Sequence, residues 1–405
     1  MPEVIPEEFL TVKRRLDITR EYSAPHFSPI DLSKINWKCG LAVRMPNHLG
    51  DAVMALPALY QLKKMLSPEL KLVVITPKSV QQLYAALPWV NGCVELASVH
   101  KKWQKAETSK LKAMNLGVGI LFNHSFRDAF YMRMAGINCL CGSDRRFKKL
   151  LLKHTFRHPE RKKNQAAEIH QSRVLLEMVY ALGAPNWDGK MPPMVPVLSA
   201  EECSPAVKAC AGHSRLMIMA PGAAYGAAKR YPAESFREVA ADWLSRGGIA
   251  AILGSKSERD IGKDVMRGLN PHKIYNFCGE TDLAEVMVLM KNAVLAVAND
   301  SGLMHLGAWL ETPGVAIFGP TDLTATGPIS PSWRLVQTEL SCGPCFKRVC
   351  PKADKPECML NIRPEEVIES VEDILSELRY NFPTGSSEQT YDNSGEQHDP
   401  EKTVL

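Results

Sequence analysis

Eight apolar runs, each six to eight residues long, recur along the 405-residue chain, and helical patterns lie between most of them. LAVRMP (Leu41 to Pro46), LKLVVITP (Leu70 to Pro77), GVGILF (Gly117 to Phe122) and INCLCG (Ile137 to Gly142) occupy the first half. Helical segments at Ala52 to Leu66 and Val80 to Leu87 separate the first three, and Phe126 to Met134 precedes the fourth. The second half repeats the theme with LMIMAPG (Leu216 to Gly222), IAAILGS (Ile249 to Ser255), VLAVAND (Val294 to Asp300) and PGVAIFG (Pro313 to Gly319). Runs of that length alternating with helices imply parallel βαβ units. The fold class is therefore α/β: two Rossmann-like domains facing a central cleft, with ligands at the carboxyl ends of the strands.

The boundaries follow from composition. Residues 1–36 are Pro-rich and charged without periodicity, and read as an extension packed loosely on the surface. An N-terminal domain is expected over 37–197 and a C-terminal domain over 198–380, joined near the Pro-rich MPPMVPVLSAEECSP. A helix, Gln165 to Leu182, leads into that linker, and a last helix, Pro364 to Leu378, precedes a polar tail over 381–405 with no core-forming pattern.

Apolar content of 45% and charged content of 23% suit a soluble globular protein. No apolar stretch of about 18 residues occurs and the N-terminus lacks an apolar signal core, so the expected location is the cytoplasm. Eleven cysteines in such a chain are expected to be reduced. The net charge of +5 is uneven. Between Arg145 and Lys163 nine Lys or Arg face the single acid Glu160, which leaves the remainder at about −3. Such a patch favours an anionic surface, or else is a solvated helix face.

Four strand ends carry candidate chemistry. In RMPNHLGDAVMALPAL, Asp51 opens a helix directly after a strand, either as a cap residue or as a general base facing the cleft, with Gly50 allowing close backbone approach. In APGAAYGAAKRYP, small residues and the cations Lys229 and Arg230 suggest a diphosphate clamp, against a loop that happens to be basic. In LGSKSERDIG, Glu258 could accept from ribose hydroxyls or simply favour a helix N-terminus. In NDSGLMHLGAW, Asp300, Ser301, Gly302 and His305 sit where a strand delivers a helix N-terminus, which welcomes an anion. GxxxxGK[ST], GxGxxG, HExxH and GxSxG are absent, which disfavours P-loop enzymes, dinucleotide dehydrogenases, zincins and α/β-hydrolases. No DxD occurs to hold a metal on a diphosphate, so cations and helix dipoles would have to do that work.

Taken together, HLGDAVMALPAL, PGAAYGAAKRYP, GSKSERD, GETDLAEVMVLM and NDSGLMHLGAWLETPGVAIFGPTD resemble, in order, segments of the ADP-heptose:lipopolysaccharide heptosyltransferases, glycosyltransferase family nine, with the heptosyltransferase II pattern in particular. The resemblance implies a GT-B fold whose C-terminal domain holds ADP-L-glycero-β-D-manno-heptose and whose N-terminal domain holds the anionic lipopolysaccharide inner core, Kdo and lipid A. It implies that the last helix crosses back onto the N-terminal domain. Asp51 would be the catalytic base; Lys229, with Arg230, would contact the diphosphate; Glu258 would bind ribose; Asp300, Ser301, Gly302 and His305 would form the sugar and phosphate end. Asn123 and Ser125 match more loosely on the acceptor side, where Arg145 and Arg146 begin the basic stretch. An inverting transfer without a catalytic cofactor, and a peripheral site on the cytoplasmic face of the inner membrane rather than on nucleic acid, complete the expectation. Other readings are a GT-B transferase for a different sugar, a nucleotide-sugar epimerase, or a non-catalytic nucleotide-sugar binding module. The chain departs from the heptosyltransferase II pattern at Ala224 and Ala227, where a Glu and a Pro are usual. Finally, Cys342, Cys345, Cys350 and Cys358 begin with zinc-ribbon spacing and could hold a structural zinc, pack reduced, or form a labile disulfide.

Overall fold

A computed structural model of the chain describes residues 11–14, 31, 35–144, 150–156, 169–352 and 356–378. In chain order the strands are β1 (Thr11–Arg14), β2 (Gly40–Arg44), β3 (Lys71–Pro77), β4 (Gly92–Leu96), β5 (Val118–Leu121), β6 (Cys139–Ser143), β7 (His154–Phe156), β8 (Leu216–Ala220), β9 (Ile249–Ile252), β10 (Ile274–Asn276), β11 (Leu295–Asn299), β12 (Gly314–Phe318) and β13 (Trp333–Thr338). The first half carries helices α1 (Leu49–Met54), α2 (Leu56–Met65), α3 (Gln81–Ala85), α4 (Lys105–Ala113), α5 (Phe126–Met134) and α6 (Gln171–Tyr180). The second carries α7 (Pro205–Ala211), α8 (Ala233–Ser245), α9 (Arg259–Met266), α10 (Leu283–Asn292), α11 (Gly302–Trp309), α12 (Leu323–Thr326), α13 (Glu357–Leu360) and α14 (Pro364–Glu377).

The two sheets share one plan. The N-terminal sheet runs β4-β3-β2-β5-β6-β7 and the C-terminal sheet β10-β9-β8-β11-β12-β13, all parallel. Relative to the first strand of each half, both orders are 3-2-1-4-5-6, which puts the reversal of strand order between β2 and β5 in one sheet and between β8 and β11 in the other. A crevice opens at the carboxyl ends there, because the helices after the two central strands leave toward opposite faces. Eight of these strands are the apolar runs of the sequence. β4, β7, β10 and β13 were not among them: β7 and β10 are three residues long, and β13 mixes Arg334 and Gln337 with its apolar residues.

Strands buried on both faces explain the near-continuous apolar runs. Leu41 and Val43 of β2 face a core shared with α1, α2 and α6, while Ala42 faces the other core with Leu111 of α4 and Met132 of α5. In the second sheet Met217 and Met219 face α8, α9 and α14, whereas Leu216 and Ile218 face a core that includes α10 and α11.

Two expectations need correction. The N-terminal extension is not merely a loose wrapping, because Thr11–Arg14 pairs antiparallel with β13 and caps the edge of the C-terminal sheet. The last helix packs within the C-terminal half: α14 lies on α8, β12 and β13, with Val367, Val371, Ile374 and Leu375 buried there and Arg334 Nη2 2.6 Å from Glu377. An apolar face matched by the neighbouring sheet has no reason to cross the cleft. The polar tail lies outside the described residues.

Beneath the crevice, Arg44 at the end of β2 is fully buried and donates from Nε to Asp128 of α5 at 2.7 Å. Asp128 also accepts from Asn123 at 2.7 Å and Trp103 at 3.1 Å, and Arg44 reaches Asn47 at 2.6 Å. Burial works against ionising Asp128, yet the Arg44 charge and these hydrogen bonds outweigh it and hold the carboxyl below its usual range. Removing one partner leaves a charge buried without compensation. Asp128→Ala should cost about 3–5 kcal/mol in denaturant unfolding, and Arg44→Met with Asp128→Leu should recover part of it. A loss below about 1 kcal/mol in the single variant would contradict the pairing.

Candidate functional site

The two halves meet through helix N-termini. β2 ends at Arg44 and the chain turns into α1, with Asp51 in its first turn; β11 ends at Asn299 and turns into α11, with Ser301 as N-cap residue. α1 packs directly on α11. At the contact glycine faces glycine: a Cβ on Gly302 would lie 3.0 Å from Leu49 Cβ and 3.1 Å from Gly50 N, and one on Gly50 would lie 2.8 Å from the His305 ring and 3.4 Å from Gly302 Cα. Gly50 therefore serves helix contact, where close approach to a substrate was expected.

On the C-terminal side, Asp300 accepts from Lys229 Nζ at 2.5 Å and from Thr321 Oγ1 at 2.6 Å. Asn299 is buried behind it, accepting from Tyr231 N at 3.1 Å and donating to the Pro221 carbonyl at 2.7 Å. These bonds tie the 223–230 loop to the start of α11. The loop is gripped from outside as well. Tyr225 Oη donates to the Phe346 carbonyl at 2.8 Å, Ala228 N donates to the Arg348 carbonyl at 3.1 Å, and Lys229 and Arg348 each lie about 5 Å from the Tyr225 ring.

Two polar atoms here are buried without any partner: Ser301 Oγ and Arg230 Nε. Leaving a buried polar group unpaired costs about 1–3 kcal/mol, which makes these two atoms candidates for ligand contact. Glu258 is committed differently. Its carboxylate caps its own helix start, accepting from Ser255 N at 2.7 Å and Ser255 Oγ at 2.8 Å, while abutting Gly222 at the end of β8. His305 is buried in the α1–α11 contact, and burial pulls its pKa down to about 4, which keeps the imidazole neutral.

Asp51 is half-buried across the contact from Lys229 and Asp300. Burial pushes its pKa up, while His48, a hydrogen bond from Gln171 and Lys229 pull it back. Gln171 Nε2 donates to Asp51 at 3.3 Å. Its neighbour His170 accepts from Ser172 N through Nδ1 at 3.1 Å, which leaves the proton on Nε2, 3.0 Å from the Gly327 carbonyl of the other half. The start of α6 thus touches both the carboxylate and the C-terminal domain. Sequence reasoning missed Gln171 and His170, since nothing in their spacing separates them from an ordinary helix start.

Asn123 and Ser125 have structural duties at the start of α5: Asn123 donates to Asp128, and Ser125 Oγ accepts from Asp128 N at 3.2 Å as the N-cap. Beside them a cavity is lined by Phe122, His124, Ser143, Phe156 and Gln171, with His124 Nδ1 2.8 Å from Ser143 Oγ. Arg145 and Arg146 lie outside the described residues.

Cys342, Cys345, Cys350 and Cys358 all line one cavity next to Ala228 and Pro320. Burial first, then the three neighbouring thiols, push Cys358 up to about 12. Among the described residues no three Cys, His, Asp or Glu are gathered so as to hold a metal ion, and these thiols are free. The structural zinc considered from their spacing is thus not shown.

Two buried neutral histidines have a consequence for stability. The pKa values of His170 and His305 fall from 6.5 to about 4 on folding, so between those values the unfolded chain binds more protons. Stability is full above about pH 6.5 and drops as pH falls toward 4, by about 3 kcal/mol per histidine at most. Unfolding free energies at pH 7.5 and 4.5 should show a shallower loss in His170→Asn and His305→Asn than in the unaltered chain; equal slopes would contradict this.

Comparison with known proteins agrees with the geometry. Lipooligosaccharide heptosyltransferase 2 of Campylobacter jejuni is 24% identical over 82% of this chain and 97% of its own length, and that of Haemophilus influenzae is 27% identical over 82% and 98%. The structure of E. coli ADP-heptose lps heptosyltransferase II superposes with a TM-score of 0.66 over 84% of this chain and 99% of that one, at 22% identity. The two facing parallel-sheet domains are the GT-B arrangement, and the chain is a glycosyltransferase. The model of glycosyltransferase family 9 (heptosyltransferase) matches residues 106–355, and the chain belongs to that family.

Proposed function

We propose that the chain transfers heptose from an ADP-heptose donor to a hydroxyl of the lipopolysaccharide inner core, with inversion, in the manner of a heptosyltransferase II. One observation carries the reading. A carboxylate from one half, Asp51, and a cation held by a carboxylate from the other, Lys229 on Asp300, converge where two helix N-termini meet, beside two unpartnered buried polar atoms. The names of the relatives support the substrate class.

In this reading the donor lies at the end of β8 and β11. Its diphosphate takes Lys229 and Arg230, the Ser301 hydroxyl and the first N–H groups of α11 as partners, which meets the orphaned atoms and places positive charge where the leaving group gains negative charge. Glu258, beside Gly222, faces the nucleoside end. Asp300 positions Lys229, and His305 keeps α11 seated on α1 as a neutral group.

The acceptor enters from the β5–β6 side. Asp51 takes the proton of its hydroxyl as that oxygen bonds to the anomeric carbon and the bond to the β-phosphate oxygen breaks, releasing ADP. Burial raises the basicity of Asp51, and Gln171 limits the rise and orients the carboxylate. Charge compensation is assigned to protein cations and helix N–H groups, so no metal step is invoked. The chain works, in the same reading, on the cytoplasmic face of the inner membrane, where a lipid-anchored acceptor is made. Ala224 and Ala227 remove a carboxylate and a rigid residue from the donor loop, so the donor test spans several nucleotide sugars.

Asp51→Asn should lower kcat by about 10²–10⁴-fold with ADP-heptose affinity nearly unchanged. Unchanged turnover would sink the assignment. With the unaltered enzyme, kcat/KM should fall on the acid side with a midpoint above the ordinary carboxylate range, since Asp51 must be ionised to act, and Gln171→Leu should move that limb to higher pH. Faster transfer from a UDP-sugar than from ADP-heptose would favour a different GT-B transferase, and conversion of the sugar without transfer would favour an epimerase.

A further inference from the structure

The exposed face of α5 is apolar in a way that neither core nor crevice explains. Phe126, Phe130 and Met134 recur every four residues, fall on one side of the helix, and are 43%, 43% and 60% exposed. Leu150, on the segment after β6, is 89% exposed. Large apolar side chains exposed singly are ordinary, but a stripe of three on one helix is not.

Cations outnumber acids around the stripe. Residues 95–144 contain seven Lys or Arg and four acids, Glu95, Glu107, Asp128 and Asp144. Glu95 and Asp144 are exposed, whereas Glu107 and Asp128 are buried and engaged internally: Glu107 accepts from Ala97 N and Gln104 N, and Asp128 holds Arg44. Lys101, Lys102, Lys105, Lys110, Lys112 and Arg133 are exposed, on α5, on α4 packed beside it, or on the segment leading into α4. The chain beyond β6 continues this bias in sequence, with nine Lys or Arg from Arg145 to Lys163. An apolar stripe within a field of cations, with no exposed acid on its own helix, complements an anionic bilayer surface. Phe rings and a Met enter the boundary of the acyl chains while Lys and Arg reach lipid phosphates.

Placement strengthens the match. Asn123 and His124, at the end of β5, lead directly into α5, and His124 lines the cavity that Gln171 and Ser143 share. We infer that the α5 stripe, Phe126, Phe130 and Met134, docks the N-terminal domain on an anionic membrane and thereby brings a lipid-anchored acceptor to the carboxyl end of β5. The acceptor clause rests on the transferase reading above; the docking surface itself does not.

Flotation of the full chain with phosphatidylethanolamine/phosphatidylglycerol vesicles tests it, with phosphatidylcholine vesicles as the neutral comparison. The unaltered chain should float with the anionic vesicles, less so at high salt, and weakly with the neutral ones. Phe126→Ser, Phe130→Ser and Met134→Ser together should cut vesicle binding at least about tenfold. The triple variant should keep kcat/KM on a water-soluble, delipidated acceptor and lose it on acceptor embedded in vesicles. Equal flotation of both chains overturns the inference. So does a dimer in sedimentation velocity that the triple variant abolishes, since the stripe would then cover a second copy. Flotation needs neither donor nor acceptor, so failure of the unaltered chain to transfer to the soluble acceptor counts against the substrate reading alone.

Discussion

Everything at the crevice depends on how closely α1 approaches α11. Two helix N-termini repel electrostatically, and most side chains would hold them apart. Here Gly50 lies against Gly302, and a Cβ on Gly302 would already press on Leu49 and the Gly50 backbone at about 3 Å. This approach sets Asp51 of one domain beside Lys229 and Asp300 of the other, and it buries His305 as a neutral ring between them. In the proposed reading, the two positive helix ends, together with Lys229 held on Asp300, favour a diphosphate there.

The surroundings serve the same geometry. Arg44 and Asp128 form a buried pair under the end of β2, anchoring the start of α5 through Asn123 and Trp103. Asn299 and Asp300 tie the 223–230 loop to α11, and the chain around Phe346 to Arg348 grips that loop from outside through Tyr225 and Ala228. The cysteine-lined cavity lies behind this grip and is lined by Ala228 of the same loop. At α6, the adjacent residues His170 and Gln171 bond to opposite halves, so the orientation of the Asp51 carboxylate and the contact between domains are linked.

Reading from residues went furthest where one short segment contains a whole physical device. Asn299 to His305 contains strand end, turn and helix start together, and its anion-ready character needs no distant partner. Asp51, Lys229 and Glu258 could be singled out for the same reason, though the sequence left each with a structural alternative. For Glu258 the structure shows the capping role in full. For Asp51 it shows a half-buried carboxylate with raised basicity. For Asn123 and Ser125 it shows the support of α5, which local sequence could not separate from ligand contact.

Local patterning sufficed for the class of the fold. Apolar runs buried on both faces, alternating with helices, leave few arrangements but two parallel sheets, and the glycines and caps that start the helices are local matters. Several features were decided only in three dimensions because they pair residues far apart in the chain. β1 caps β13 by backbone bonding that composition does not encode, and α14 stays on its own sheet because the complementary apolar face is there. Gln171 meets Asp51 across 120 residues, and Gly50 meets Gly302 across a cleft between two folded halves. Period and propensity act over a few residues, whereas burial, orphaned polar atoms and a shifted carboxylate arise only when packing brings distant groups out of water together.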